Sequence, residues 1–256
     1  MNDISKKNHV SLGSSIAKGG FQNEKDIKKK FENWKTDNDA QLWLRTMRYK
    51  LREIEKIDVK LLSDSHSKAD IQVQIKVYFK EIINLENISI KLVSNAKNGF
   101  NQVDKRYVIK YQIMWSIPKK VVYGLKLFTG EIKPTIDSTD PRKLNLNEMS
   151  WDLSQAIVKF FEENKHLVIS DIIKGNDRVY ADWMLVSVKE ENKQKWVLKN
   201  INQTINIFSR GNVRITSKGN LKIGEIGMQR KGGDGGRSTA NMLQFKINPL
   251  ILFDKI

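Results

Sequence analysis

Two runs of alternating residues in the first third of the chain leave little freedom in how it can fold. From Asp70, the order Asp-Ile-Gln-Val-Gln-Ile-Lys-Val-Tyr puts Ile71, Val73, Ile75 and Val77 on one side and polar residues on the other. That period of two is the pattern of a half-buried strand. From Ile88, the order Ile-Ser-Ile-Lys-Leu-Val-Ser repeats it after a turn at residues 81–85. A connection that short pairs the two strands antiparallel. A further β-like stretch covers Ile57 to Leu62.

Helical spacing precedes and follows this pair. Ile27, Phe31 and Trp34 are spaced by four and three, so they share a helix face, and Asn23 before Glu24 fits an N-cap. Residues 1–20 are polar and Gly/Ser-rich, which predicts a frayed start. A second helix is expected from about Ala40 to Lys56, through Leu42, Leu44, Met47, Leu51 and Ile54. Residues 102–115 return to helical spacing, and Trp151 to Asn164 is amphipathic. The runs Trp183-Met-Leu-Val-Ser-Val and Trp196-Val-Leu read as strands, and the tryptophans at helical spacing read as core. Helices, then strands, then a mixture predict one α/β domain over residues 1–256, with a central mixed sheet flanked by helices.

Charge narrows the partner. Lys and Arg total 45 against 29 Asp and Glu, a formal net charge of +16, which points to a polyanion and first to nucleic acid. Cysteine is absent, which excludes thiolate metal sites, disulfide scaffolds and cysteine nucleophiles. Three histidines, His9, His66 and His166, are too few for a His-rich metal centre. No apolar run approaches the roughly 20 residues of a membrane span, and no signal-peptide core opens the chain, so a soluble cytoplasmic protein is expected.

The strand pair also carries candidate chemistry. Asp70 opens the first strand, and Ser89 and Lys91 share a face of the second. A carboxylate at one strand end, with a polar residue and a lysine on the next, is the layout of a PD-(D/E)xK nuclease core. Phosphodiester hydrolysis needs a cation against a non-bridging oxygen and a deprotonated water near neutral pH. Mg²⁺ takes oxygen ligands and keeps several waters. Asp70 can offer a carboxylate oxygen and Ile90 its main-chain carbonyl, while Lys91 can hold the attacking water or balance charge on the pentavalent phosphorus. In a lysine-rich chain the same spacing also arises by chance.

Longer blocks discriminate between these readings. The segments Phe21-Gln-Asn-Glu-Lys-Asp-Ile, Phe31-Glu-Asn-Trp-Lys, Lys91-Leu-Val-Ser-Asn, Gly99-Phe-Asn-Gln-Val-Asp-Lys, Gln229-Arg-Lys-Gly-Gly-Asp-Gly-Gly-Arg and Thr239-Ala-Asn-Met-Leu-Gln-Phe-Lys-Ile occur in this order. They resemble the HinP-type restriction endonucleases, type II enzymes that cut GCGC and are related in core to MspI. The resemblance runs from about Ser11 to Asp254. It implies a PD-(D/E)xK fold, Mg²⁺ dependence, double-strand cleavage with 5′ overhangs, and a methyltransferase marking the same site. The family pattern is Ser-Asp, then a Gln nineteen residues on, any residue, and Lys. Asp70 and Lys91 match it, whereas Ala69 replaces its Ser and Ser89 its Gln. Serine is shorter than glutamine, so Ser89 would reach a cation through water; Glu86, in the turn before the strand, is either a carboxylate that compensates or, the reading its position favours, an exposed turn residue. Glu24 is either a carboxylate aimed at the site from the first helix or a solvated acid favoured by the helix dipole.

Residues 210–246 are expected to read the DNA. Eight of the chain's fifteen glycines lie between Gly211 and Gly236, among Arg210, Arg214, Lys218, Lys222, Arg230, Lys231 and Arg237. Gln229, Arg230 and Lys231 suit guanine O6 and N7, and Asp234 a cytosine amino group. Arg237 is equally a phosphate clamp. Phe100 beside Gly99 suits a wedge between base steps, with Gln102 reading base edges beside it. By composition alone Phe100 would fold back as a loop anchor; the resemblance turns it toward DNA. Cutting both strands takes two active sites, in a homodimer or in sequential visits. The competing reading is a non-catalytic or structure-specific DNA-binding protein on the same scaffold.

Overall fold

A thirty-residue helix, α1 (Asp3–Glu32), opens the computed structural model, which describes residues 3–62, 71–94, 99–175, 180–190, 193–233 and 237–254. The expected cap at Asn23 is overturned. Asn23 lies inside α1 and is fully buried, and its Oδ1 accepts the Ser187 hydroxyl at 2.9 Å. A polar residue in the one-in-four apolar rhythm looks like a helix start, but here it faces a polar group of the sheet.

The second helix stops early. α2 (Asn38–Thr46) is capped by Asp37, whose side chain accepts from the Ala40 N–H at 2.9 Å. Arg48 then takes a left-handed φ of 69°, and the Tyr49 N–H closes on the Leu44 carbonyl at 2.9 Å. This αL closure ends the helix. Leu51 and Ile54, which had extended the apolar rhythm, fall in and after a short turn, Leu51–Glu53.

Contacts divide the chain into two compact units: Met1–Gly99 with Lys174–Thr204 and Pro249–Ile256, and Phe100–Ile173 with Ile205–Asn248. The strands divide between two sheets, where the sequence led to one central sheet.

The sheet of the first unit has the order β1-β2-β3-β5-β6, built from β1 (Lys56–Leu61), β2 (Ile71–Tyr78), β3 (Ile83–Val93), β5 (Trp183–Glu190) and β6 (Lys193–Asn200). β2 and β3 are antiparallel as expected, with Ile75 opposite Glu86 and Ile71 opposite Ser89. β3 and β5 run parallel, which makes the sheet mixed. One face buries Val73, Ile75, Val77, Ile88, Ile90, Leu185 and Leu198 with Ile27 and Phe31 of α1 and Trp43 and Leu44 of α2. Fully burying one such side chain contributes about 1.5–3 kcal/mol, so this layer fixes the register of the strands.

The second unit carries the antiparallel order β4-β10-β9-β8-β7, built from β4 (Asn101–Arg106), β7 (Arg214–Ile215), β8 (Leu221–Ile223), β9 (Ile226–Arg230) and β10 (Leu243–Ile247). Its helices are α3 (Val108–Trp115), α4 (Lys119–Thr129), α5 (Trp151–Glu163) and α6 (Lys165–Lys174). Helix α7 (Ile201–Phe208) carries the chain from the first unit into the second. The helical spacing expected over residues 102–115 is therefore half strand. Asp104 of β4 accepts Arg106 Nε at 2.9 Å and the Tyr111 hydroxyl at 3.1 Å, which ties the strand to α3. Tyr111 and Trp115 stack at 4.8 Å and both meet Phe245 edge-on. Trp34, Trp43 and Trp115 are core as expected, but Trp151, at the start of α5, is 78% exposed. Among the described residues no helix is long and apolar enough to cross a membrane.

Candidate active site and nucleic-acid interface

Strand β3 sorts the catalytic candidates by face. Ile88 and Ile90 face α1; Ser89 and Lys91, one residue out of phase, face the other way. Both are buried, at 2% and 5% exposure. The Ser89 hydroxyl is buried with no hydrogen-bond partner, so a polar atom with unused capacity sits two residues from the lysine. On the same face Gln74 donates to Asn87 at 2.9 Å, and the Asn87 N–H is held by Asp182 at 2.8 Å. Gln74 and Asn87 were not anticipated, although both occupy polar positions of the alternating runs. β2 begins at Ile71, opposite Ser89, so no described strand pairs with Ile90–Val93 on that side.

Glu86 stands apart. It lies on the α1 face, opposite Ser89 and Lys91, and both of its oxygens are engaged. Tyr49 donates to Oε1 and the Trp183 indole to Oε2 at 2.8 Å. Burial first, and then this hydrogen bond, push the Tyr49 hydroxyl well above the usual tyrosine range. The carboxylate expected to assist a cation is a buttress between two aromatic residues. Glu24 follows Asn23 on α1, whose buried residues rest on that same far face, so neither glutamate shares a sheet face with Lys91. Asp70, His66 and Ala69 lie outside the described residues. Among the described residues no cluster of three His, Cys, Asp or Glu is placed to hold a metal.

The recognition candidates gather on the second unit. Phe100, just before β4, is 63% exposed rather than folded back as an anchor. Gln102 on β4 and Gln229 on β9 lie on one face of the sheet, joined through Gln244 of the strand between them. Arg230, next to Gln229, points to the opposite face. Its Nε donates to the Thr129 carbonyl at 2.8 Å and its Nη2 to Asn241 at 2.7 Å, so the guanidinium expected to read guanine braces the end of α4. Lys231 continues the hairpin, its N–H bonded to the Met242 carbonyl at 2.8 Å. Gly232 and Gly233 take φ of 64° and 62°, values that favour glycine, and lead toward Asp234, which lies outside the described residues. Arg237 is exposed. Gln244 and Lys246 of β10 were not anticipated, nor was the strand itself, although both residues alternate with the buried Leu243 and Phe245.

An α/β fold with a mixed sheet, a buried serine and lysine side by side on its central strand, and a polar, basic second sheet fit a nuclease scaffold. The comparisons agree. The family model described as R.HinP1I restriction endonuclease matches residues 47–253, and the chain belongs to that family. The solved structure of restriction endonuclease MspI in complex with its cognate DNA matches with 14% identity and a TM-score of 0.65, covering 95% of each chain, so the two share a fold. No curated protein matches the chain.

Proposed function

We propose that this restriction endonuclease is a type II, Mg²⁺-dependent enzyme that cleaves double-stranded DNA at a defined site, GCGC with 5′ overhangs. The observation that carries the reading is the buried Lys91 beside the Ser89 hydroxyl, a buried polar atom with unused hydrogen-bonding capacity, on the central strand of the mixed sheet. Asp70 immediately precedes Ile71 in the sequence, and Ile71 is the β2 residue paired with Ser89.

Asp70 and the Ile90 carbonyl would hold the cation, with Ser89 as a further oxygen donor directly or through water. Bound there, Mg²⁺ would polarise the scissile phosphoryl group and lower the pKa of a bound water. Lys91 contributes a fixed positive charge in a water-poor setting. There it orients the attacking water and offsets charge on the pentavalent phosphorus more strongly than an exposed lysine could. Phe100, Gln102, Gln229, Lys231, Asp234 and Arg237 form the DNA-contacting set in this reading. A DNA methyltransferase of matching specificity, action as a homodimer or by sequential nicking, and a cytoplasmic setting complete it.

Digestion of a defined plasmid with Mg²⁺, followed by sequencing of the ends, tests the proposal. Discrete fragments ending within GCGC are expected. Salt-dependent binding with no cutting under any divalent cation would favour a non-catalytic DNA-binding protein. Cutting confined to forks or nicks would favour a structure-specific nuclease.

A further inference from the structure

Three side-chain amides cross the second sheet in a directional relay. Gln229 Nε2 donates to Gln244 Oε1 at 3.3 Å, and Gln244 Nε2 donates to Gln102 Oε1. Gln244 is the buried middle member at 6% exposure, Gln229 is half-buried and Gln102 exposed. Each amide has one acceptor end and one donor end, so the direction of the relay fixes what remains at its ends. Gln102 has spent its carbonyl and presents the two hydrogens of its NH₂ group. Gln229 has spent one N–H and presents its carbonyl oxygen.

From this geometry we propose that Gln244 is a positioning residue for sequence readout: it orients Gln102 as a hydrogen-bond donor and Gln229 as an acceptor toward the DNA bases. The inference rests on the proposed function and adds to it the polarity of readout. A donor at Gln102 suits guanine O6 or N7, and an acceptor at Gln229 suits a cytosine amino group. Strands spaced about 4.8 Å apart put the two ends roughly 10 Å from each other, so they meet different base pairs of a short site. Lys246 supports a nucleic-acid occupant of this face. It lies opposite Gln102 on one side and Gly227 on the other, half-buried, and forms no ion pair among the described residues. Desolvation holds its ammonium below the usual lysine value, a cost that a phosphate on this face would offset.

Two substitutions separate orientation from mere packing. Gln244→Leu removes both relay bonds at similar size. Gln244→Glu keeps the acceptor for Gln229 but can only accept at the other end, so Gln102 must turn its NH₂ group inward and present its carbonyl. The full chain and each variant would digest a library of randomised duplex DNA with Mg²⁺, and the cut ends would be sequenced. Discrimination against the wrong base at one position per half-site is expected to fall at least tenfold in Gln244→Leu. In Gln244→Glu the preference at that position should shift toward a base that presents a donor. Wild-type base preference in either folded variant overturns the inference while leaving the proposed function standing. Wild-type protein that cuts without any base preference, or not at all, overturns both.

Discussion

The Trp183 indole donates to Glu86 Oε2 at 2.8 Å while the Tyr49 hydroxyl holds the other oxygen, and this places an acidic residue of β3 in the aromatic layer rather than on the face of Ser89 and Lys91. Removing that carboxylate should therefore cost stability and not chemistry. Glu86→Ala strands two half-buried donors and should lower stability by about 1–2 kcal/mol, read by urea titration. Glu86→Gln can still accept from Trp183 and donate to the Tyr49 oxygen, so it should lose less than about 1 kcal/mol. Cutting per folded molecule should stay within a few-fold of wild type in both. A loss of cutting on the order of 100-fold in stable Glu86→Gln would return this residue to the cation site.

Lys91 should behave in the opposite way. Lys91→Met keeps the length and apolar stem of a 5%-exposed side chain while deleting its charge. Plasmid cleavage should fall on the order of 10²–10⁴-fold, as for loss of a group acting only in the transition state. Binding of a cognate duplex, measured by fluorescence anisotropy, should change by less than about tenfold, because one buried charge adds little to a contact spread over many phosphates. Equal losses of binding and cutting would make Lys91 a DNA contact instead.

Arg230 and Gln229 are neighbours on β9 with opposite expected phenotypes, because adjacent strand residues face opposite sides. Arg230→Ala leaves the Thr129 carbonyl and Asn241 without their donor and should destabilise the fold by roughly 1–3 kcal/mol. Gln229→Ala should leave the thermal midpoint nearly unchanged and relax base preference instead. Thermal melts beside end-sequencing of digests would separate the two. An intact fold with lost specificity in Arg230→Ala would restore the arginine as a reading residue.

These contrasts mark what the sequence made legible. Period-two alternation located β2 and much of β3, because a half-buried strand leaves its period in the apolar residues, and short apolar runs marked β5 and part of β6. It also put Ser89 and Lys91 on one face without further information. What it did not carry was direction. Alternation is silent on which face is covered by helices and did not show that β3 starts at Ile83, so Glu86 read as a turn residue within reach of the site, although it lies in the strand on the opposite side of the sheet from Lys91. Local pattern failed again where a tertiary contact decided the outcome. Asn23 mimics a helix cap because its partner, Ser187, is 164 residues away. The 102–115 stretch mimics one helix because Asp104, Arg106 and Tyr111 bind across a strand-to-helix boundary. Gln244 and Lys246 escaped notice because polar residues on the outer face of a strand are ordinary until their neighbours are known.

Asp140 offers a test in acid. Both of its oxygens accept from Arg142, at 2.8 Å to Nε and 2.8 Å to Nη2. That hydrogen-bonded guanidinium holds the carboxyl down at about 2. A carboxyl depressed in the folded state contributes stability above its unfolded pKa of roughly 4, and that contribution is lost as pH falls toward 2. Arg142 is 70% exposed, so solvent screens the pair and its worth is about 1 kcal/mol. Asp140→Asn should therefore be less stable than wild type by about that amount at pH 7 and nearly equal to it at pH 2, a convergence that urea titrations at several pH values would show. A constant difference across that range would mean the ion pair is not its source.

Lys246 should show a conflict between stability and binding. Its half-buried ammonium is desolvated and forms no ion pair among the described residues, which holds its pKa below the usual lysine value. The folded chain therefore binds fewer protons than the unfolded chain in the window just below 10.5, and wild-type stability should rise with pH there. Lys246→Met keeps the stem, removes the buried charge and should gain about 1 kcal/mol at pH 7 while abolishing that alkaline rise. The same substitution should weaken DNA binding and reduce the slope of log affinity against log salt by roughly one, the signature of a lost phosphate contact. A relaxed base preference with an unchanged salt slope would instead assign Lys246 to a base edge beside Gln102. A variant that is both less stable and fully competent in binding would show that the ammonium belongs to the fold and not to the DNA.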